Sequence, residues 1–204
     1  MIIYEDMEIT VCEKPYGVAS QEGGQENMVS ILKKECGCEI YPVHRLDTQT
    51  TGLMVYAKTR ESAANLSKQI EEKTFEKEYL CLCHGELDEG GEMVDFLYHD
   101  KLKNKSFVVK NKRGGSKEAR LQYTKLGEIY KGECRLNLVR VKLFTGRTHQ
   151  IRGQFSSRGN TLYGDRKYGA KDNDRIALHS CYLSFIHPKT KEKMEFNSLP
   201  QWAE

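Results

Sequence analysis

The chain alternates short apolar runs with turn-forming residues, and the spacing within each run predicts its element. Ile9-Thr10-Val11-Cys12 reads as a strand ending at the Pro15 to Gly17 turn, and Asn27 is placed to cap a short helix through about Glu35. Gly52 to Lys58 is a strand rich in apolar residues. Thr59 then offers an N-cap to a helix from Arg60 to about Glu72, with Ala63, Leu66 and Ile70 on one side at helical spacing. Strands are predicted over Phe75 to Cys83, Phe107 to Lys110, Ala119 to Lys125 and Cys134 to Leu143, the last with clear alternation. Thr148 to Ser157 reads as a short helix stopped by Gly159, with His149 and Arg152 on a polar face left free for substrate and Ile151 and Phe155 as an apolar pair. Ile176 to Phe185 and Met194 to Phe196 are the closing strands. Strands outnumber helices and regular βαβ alternation is missing, so the fold class predicted is α+β, a mixed and largely antiparallel sheet with flanking helices.

Composition narrows the class. The 204 residues, 38% hydrophobic and 30% charged, suit an ordinary globular core, and one domain over 1–204 is expected. No run approaches the roughly 18 apolar residues of a membrane span, and Met1 to Asp6 lacks the basic start and apolar stretch of a signal peptide, so a cytoplasmic protein is expected. A net charge of +3 is too small to imply nucleic acid by itself, so that inference must rest on how the charge is distributed. Seven scattered cysteines are expected to be reduced thiols. The one-residue gaps in Cys36-Gly37-Cys38 and Cys81-Leu82-Cys83 do not fit the usual spacing of structural zinc, and no metal is expected.

Chemistry concentrates where a polar run meets an apolar strand: His44-Arg45-Leu46-Asp47-Thr48-Gln49-Thr50-Thr51-Gly52, then Leu53-Met54-Val55-Tyr56-Ala57-Lys58. Cation and hydroxyl partners can hold an aspartate there as the anion in a partly dry pocket, which makes Asp47 the first candidate nucleophile. The plain alternative is a loop aspartate bonding its own backbone in a turn.

This segment resembles the signature of RluA-type pseudouridine synthases: His-Arg-Leu-Asp, two residues, Thr-Thr-Gly, then an apolar strand. Lys14-Pro15-Tyr16-Gly17 resembles the family's early Lys-Pro-x-Gly turn and Lys77-Glu78-Tyr79-Leu80 its Lys-x-Tyr strand. Thr145 to Arg152, with Gly146-Arg147-Thr148-His149-Gln150-Ile151 between, resembles the third motif; Gly164-Asp165 and Tyr168-Gly169 continue it, and Leu178-His179 and His187-Pro188 match the closing strands. The likeness covers nearly the whole chain. Four positions depart from the pattern: Thr51 where Ser is usual, Asn160-Thr161 where His-Pro is common, and Leu121 where Thr is common. No small RNA-binding S4 domain is expected ahead of Lys14.

The resemblance implies an RNA pseudouridine synthase, an isomerase that moves uracil from an N1 to a C5 linkage and needs no cofactor. Its essential aspartate maps to Asp47, its active-site tyrosine to Tyr79 and its basic residue to Arg152, which would pair with Asp47, while Ile151 supplies an apolar wall. Arg45 maps to an arginine that contacts RNA around the flipped nucleotide; His44 is expected to support the turn. The expected partner is RNA, ribosomal or transfer, bound by a monomer without membrane association.

Lys101, Lys103, Lys105, Lys110, Lys112, Arg113, Lys117 and Arg120 form the strongest basic cluster, with Gly114-Gly115 expected as a hairpin tip between two strands. With a polyanionic substrate implied, Lys112, Arg113 and Lys117 are candidate phosphate contacts; otherwise the cluster is a solvated edge. Two other classes compete: an RNA-binding protein without catalysis, and a hydrolase using Asp47 as nucleophile or His44, Asp47 and His149 as metal ligands. Intact Asp47, Tyr79 and Arg152 disfavour the first, and no second carboxylate at recognisable spacing supports the second.

Overall fold

The computed structural model describes residues 1–23, 26–112 and 114–203; Arg113 lies outside them. In chain order the elements are β1 (Ile2–Glu5), β2 (Ile9–Lys14), α1 (Met28–Cys36), β3 (Tyr41–Pro42), β4 (Thr51–Ala57), α2 (Arg60–Glu71), β5 (Glu76–Cys83), β6 (Gly90–Asp100), β7 (Lys105–Val109), β8 (Ser116–Lys131), β9 (Cys134–Leu143), α3 (Gln150–Ser156), β10 (Leu178–Ile186) and β11 (Lys193–Asn197), with short 3-10 turns at Arg166–Tyr168 and Gln201–Ala203. They gather into two compact units, the first from residues 1–77 and 179–202, the second from residues 78–178. The fold is α+β. Among the described residues no helix is long and apolar enough to cross a membrane.

In the first unit β2 pairs antiparallel with β1 and β4, β3 adds to β4, and β11 pairs antiparallel with β10. The exception is parallel: β10 meets β4 at His179↔Thr51 and Ser180↔Gly52. Ile9, Val11, Leu53, Val55, Leu183 and Phe185 bury one face of these strands, and α2 closes over it with Leu66, beside Ala63 and Ile70, so the helical spacing visible in the sequence is the packing face. Both predicted caps are present. Asn27 Oδ1 accepts from Ser30 N at 3.0 Å and Thr59 Oγ1 from Ser62 N at 3.1 Å, meeting amides that the first helical turn leaves unpaired.

The second unit runs β5-β9-β8-β6-β7, antiparallel throughout. The structure departs from the sequence-based expectation in three places. Strands β1, β3 and β6 are additional to those predicted; β6 opens on two glycines and buries only Met93 and Leu97 well, so its periodicity is faint. Because β7 and β8 each pair with β6, on opposite sides of it, the segment through Gly114 and Gly115 does not close a hairpin between them but crosses from one flank of β6 to the other. The true hairpin is β6–β7, whose turn is fastened by Lys103 N donating to Asp100 Oδ1 at 3.0 Å. Finally, α3 has no free polar face. Residues Gln150 to Phe155 are all buried, and His149 stands before the helix in a left-handed conformation, φ 52°. The polar side chains are consumed internally: Gln154 Nε2 donates to Asp95 Oδ2 at 2.7 Å and Gln150 Nε2 to Arg120 O at 3.1 Å.

Close parallel pairing in the first unit depends on Gly52. Its φ is +106°, and an added Cβ would lie 2.3 Å from Ser180 O, backbone that cannot rotate away. Gly52→Ala should therefore cost roughly 3–5 kcal/mol of unfolding free energy, read as a lowered denaturant midpoint. A midpoint equal to the parent's would show that β4 and β10 separate without penalty.

Candidate active site

Asp47 opens a tight turn in the first unit. Its carbonyl accepts from Thr50 N at 2.9 Å, its side chain is half-buried, and the flanking residues alternate: Leu46 is buried and Arg45 exposed. Leu46 is fixed through both backbone groups by one hydroxyl, since Ser20 Oγ donates to Leu46 O at 2.8 Å and accepts from Leu46 N at 3.2 Å.

The turn is held from beneath by Lys14, which has no exposed surface. Its Nζ donates to the carbonyls of Pro15 and Val18 at 2.8 Å each and to Thr48 O at 3.1 Å, while Gly17 N reaches the same Thr48 oxygen at 2.9 Å. Burial lowers the Lys14 pKa to about 8, and attraction to Asp47 and Cys12 opposes that fall. A buried ammonium thus joins the Lys-Pro-Tyr-Gly turn to the Asp47 turn and supplies positive charge that the carboxylate feels.

His44 supports this arrangement as expected. Its Nε2 accepts from Val55 N at 3.2 Å, its ring lies against Phe75 at 5.5 Å, and burial drives its pKa far below the usual imidazole range, so the ring is neutral. Its Nδ1 has no hydrogen-bond partner among the described residues. On the far side of the turn, Thr51 Oγ1 lies 2.8 Å from His179 Nδ1, and His179 Nε2 lies 3.0 Å from Ser198 Oγ, which donates to Glu13 Oε1 at 2.8 Å. Ser198 spends its proton on Glu13, so His179 donates from Nε2 and accepts from Thr51. Burial lowers the His179 pKa, consistent with that neutral tautomer. Only the hydroxyl of Thr51 makes this bond, so the departure from Ser costs nothing here.

The other candidates belong to the second unit. Tyr79 is buried in β5, opposite Val141 of β9. Ile151 and Arg152 are buried in α3. Arg152 donates from Nε to Asp165 Oδ2 and from Nη2 to Asp165 Oδ1, each at 2.7 Å, a two-pronged pair with both side chains buried. Asp165 is carried into place by Gly164, φ +75°, where an added Cβ would meet Arg175 O at 2.3 Å. The remaining departures are absorbed: Asn160 Nδ2 ties the carbonyls of His84 and Glu86 at 3.1 and 2.8 Å, and Leu121 packs fully buried in β8.

The basic cluster divides. Lys112 and Lys117 are exposed. Arg120 instead pairs with Glu92 and covers the Phe144 ring at 4.9 Å, and Lys105 Nζ lies over Tyr168 at 4.7 Å. Cys81 and Cys83 are buried in β5, where burial pushes the Cys83 thiol up to about 12. Among the described residues no three His, Cys, Asp or Glu side chains gather as metal ligands.

In the sequence, Lys14 and Asp165 stand out only as parts of motifs, with no role attached to either. Their motif positions are the available signal; a buried lysine and a carboxylate thirteen residues from its arginine are invisible to local spacing.

The profile of the RNA pseudouridylate synthase family matches residues 8–157. The chain belongs to that family. It is 34% identical to ribosomal large subunit pseudouridine synthase C of Buchnera aphidicola over 95% of this chain and 65% of that one. It is also 32% identical to the dual-specificity RNA pseudouridine synthase RluA of Vibrio vulnificus, over 93% of this chain and 78% of the relative. A tRNA pseudouridine synthase C from Haemophilus ducreyi shares 28% identity over 98% and 92% of the two chains. The chain spans about 65% of the length of the first of these relatives. Among solved structures, human RNA pseudouridylate synthase domain containing 1 superposes with a TM-score of 0.84 at 22% identity, covering 98% of this chain and 82% of its own, which supports the pseudouridine synthase fold.

Replacing Lys14 by Met removes one donor from each of three carbonyls, of which Thr48 O keeps Gly17 N, and the variant should lose roughly 2–5 kcal/mol at pH 7. The parent should carry a further signature. The unfolded chain keeps the lysine proton to about 10.5, the folded one only to about 8, so unfolded protein binds more protons between those values and this group's contribution to stability rises with pH there. Urea melts from pH 7 to 10.5 should show that rise in the parent and not in Lys14→Met. Identical pH dependence in both proteins would remove Lys14 from this role.

Proposed function

We propose that this chain isomerises specific uridines in structured RNA to pseudouridine, with Asp47 as the essential catalytic carboxylate. What carries the reading is the Asp47 turn: a half-buried carboxylate in the His-Arg-Leu-Asp motif, underpinned by the Lys14 ammonium, within the segment that matches the family. The names of relatives acting on ribosomal and transfer RNA support an RNA substrate of either kind; the enzyme is proposed to act in the cytoplasm. Both units are proposed to serve one catalytic domain, acting as a monomer.

The reaction breaks the bond from uridine N1 to ribose C1′ and forms one from C5 to the same carbon; C5 gives up its proton and N1 gains one. Electrons and mass are conserved, so no cofactor is required. Covalent catalysis by Asp47 would divide the exchange into easier steps and retain the freed base. Tyr79 offers a ring that stacks on uracil and a phenol for proton transfer. Arg152, aligned by Asp165, supplies fixed positive charge, and Ile151 an apolar wall.

A uridine inside a stack must first be extruded, at roughly a few kcal/mol. Arg45, exposed beside the buried Leu46, is suited to phosphate or to the vacated position. Lys112, Arg113 and Lys117 are proposed to bind phosphates. The metal-hydrolase reading is weaker because His44 Nε2 already accepts from Val55 N and its Nδ1 is shut off from the surface.

Incubating the protein with uridine-containing RNA in chelator should yield a base isomer at unchanged total mass, and Asp47→Asn should lose at least roughly a thousandfold in rate while still folding and binding RNA. Substantial turnover by that variant would remove Asp47 from the centre of the chemistry; activity lost in chelator and restored by zinc would favour the metal reading.

Changing Lys112, Arg113 and Lys117 together to Ser should weaken RNA binding across sequences and leave saturated single-turnover rates unchanged. The salt-dependence slope should fall by roughly 0.7 for each single-strand phosphate that the variant no longer neutralises. Unchanged affinity and slope would assign these residues to a solvated edge.

A further inference from the structure

Cations withdrawn from water in this chain are met by acceptors: Lys14 by three carbonyls and Arg152 by Asp165. Half-buried Lys58 donates to Glu5 Oε1 at 2.8 Å and to Asp6 O at 2.6 Å, and half-buried Lys125 donates to Glu128 Oε1 at 2.9 Å. Lys77, half-buried at the start of β5, is different. Among the described residues its ammonium has no hydrogen-bond or ion-pair partner. It lies over the Phe75 ring, with Nζ 5.7 Å from the centroid. A ring face is a weak substitute for the hydrogen bonds an ammonium makes in water.

Neighbouring groups of the first unit do not make up the shortfall. His44 lies against the same Phe75 ring at 5.5 Å and feels the Lys77 charge, which adds to the fall in its pKa caused by burial. The acceptor nitrogen of that imidazole is already taken by Val55 N, so His44 offers Lys77 no lone pair. Phe75 is itself fixed, stacked on Phe185 in the core at 5.5 Å. Burial lowers the Lys77 pKa, and no carboxylate opposes the fall. A charge held this way destabilises the free protein. The arrangement is complete only with an acceptor brought from outside the chain.

RNA carries such an acceptor at every nucleotide. A compact ammonium on a flexible stem suits a phosphate oxygen, which calls for charge rather than for a planar fork. We propose that Lys77 binds a phosphate of the RNA substrate and is kept without a partner in the free protein for that purpose. The proposal rests on the RNA-substrate part of the reading above and not on its chemistry. A lysine that merely supports the fold would give the opposite result in stability, so the two roles separate experimentally.

Lys77→Met keeps an apolar stem against Phe75 and removes the charge. In urea its midpoint should equal or exceed the parent's, because the substitution leaves no partner behind. With a pool of uridine-containing RNA, structured and single-stranded, its Kd in about 0.1 M salt should be about tenfold higher and its salt-dependence slope lower by roughly 0.7–0.9. Lys77→Arg keeps the charge and should stay within about threefold of the parent in Kd, with the parent's slope. A midpoint clearly below the parent's in Lys77→Met would make Lys77 a structural cation and overturn the proposal. So would an unchanged Kd, a weaker Kd at unchanged slope, which would point to an uncharged acceptor, or a parent that binds none of the pool. A parent that binds RNA and makes no pseudouridine would defeat the isomerase reading alone, and the binding measurements would still decide for or against Lys77.

Discussion

The Lys14 ammonium, withdrawn from water, is met by the carbonyl oxygens of Pro15, Val18 and Thr48, and the turn that carries Asp47 takes its shape from that requirement. Three carbonyls can converge on one nitrogen only if two separate loops bend toward it. Gly17 supplies the bend in one, at φ +85°, and the Asp47 to Thr50 hydrogen bond supplies it in the other. Burying a charge costs several kcal/mol unless such partners are in place, so the two loops are bound to each other by the cost of parting. The nearby carboxylate of Asp47 is then held beside positive charge on a stiff support, the preorganisation that a working acid or nucleophile needs.

The second unit answers a similar problem differently. Arg152 is also buried, and its charge is met by a carboxylate rather than by carbonyls, with both prongs to Asp165 at 2.7 Å. A planar fork against a planar carboxylate fixes direction as well as charge, which suits the role proposed for Arg152. Around it, α3 is enclosed from Gln150 to Phe155, and the amides of Gln150 and Gln154 are spent on neighbouring carbonyls and on Asp95. The helix therefore serves as a rigid mount.

Local signals are legible in the sequence where they are strong. The caps at Asn27 and Thr59, the Leu66 face of α2 and the alternation of β9 each follow from a rule acting over a few residues, and each is present. What local spacing misses is non-local. Strand β6 has weak alternation because it is buried at few positions, and without it the neighbours β7 and β8 look like one hairpin. The face of α3 looks free because helical spacing places Arg152 away from Ile151 but cannot say that β6, β7 and the turn after Gly164 will cover it. For the candidate site, the motifs point to Asp47, Tyr79 and Arg152, while the charges that stabilise the first and third, Lys14 and Asp165, come from far along the chain.

The activity proposed for this chain is pseudouridine formation through Asp47. Mapping pseudouridines in ribosomal and transfer RNA from cells lacking the gene, and from the same cells supplied with the parent or with Asp47→Asn, tests it most directly. One or a few positions should be lost on deletion, restored by the parent and left unmodified by Asp47→Asn. An unchanged map on deletion, or full restoration by the Asn variant, would contradict it.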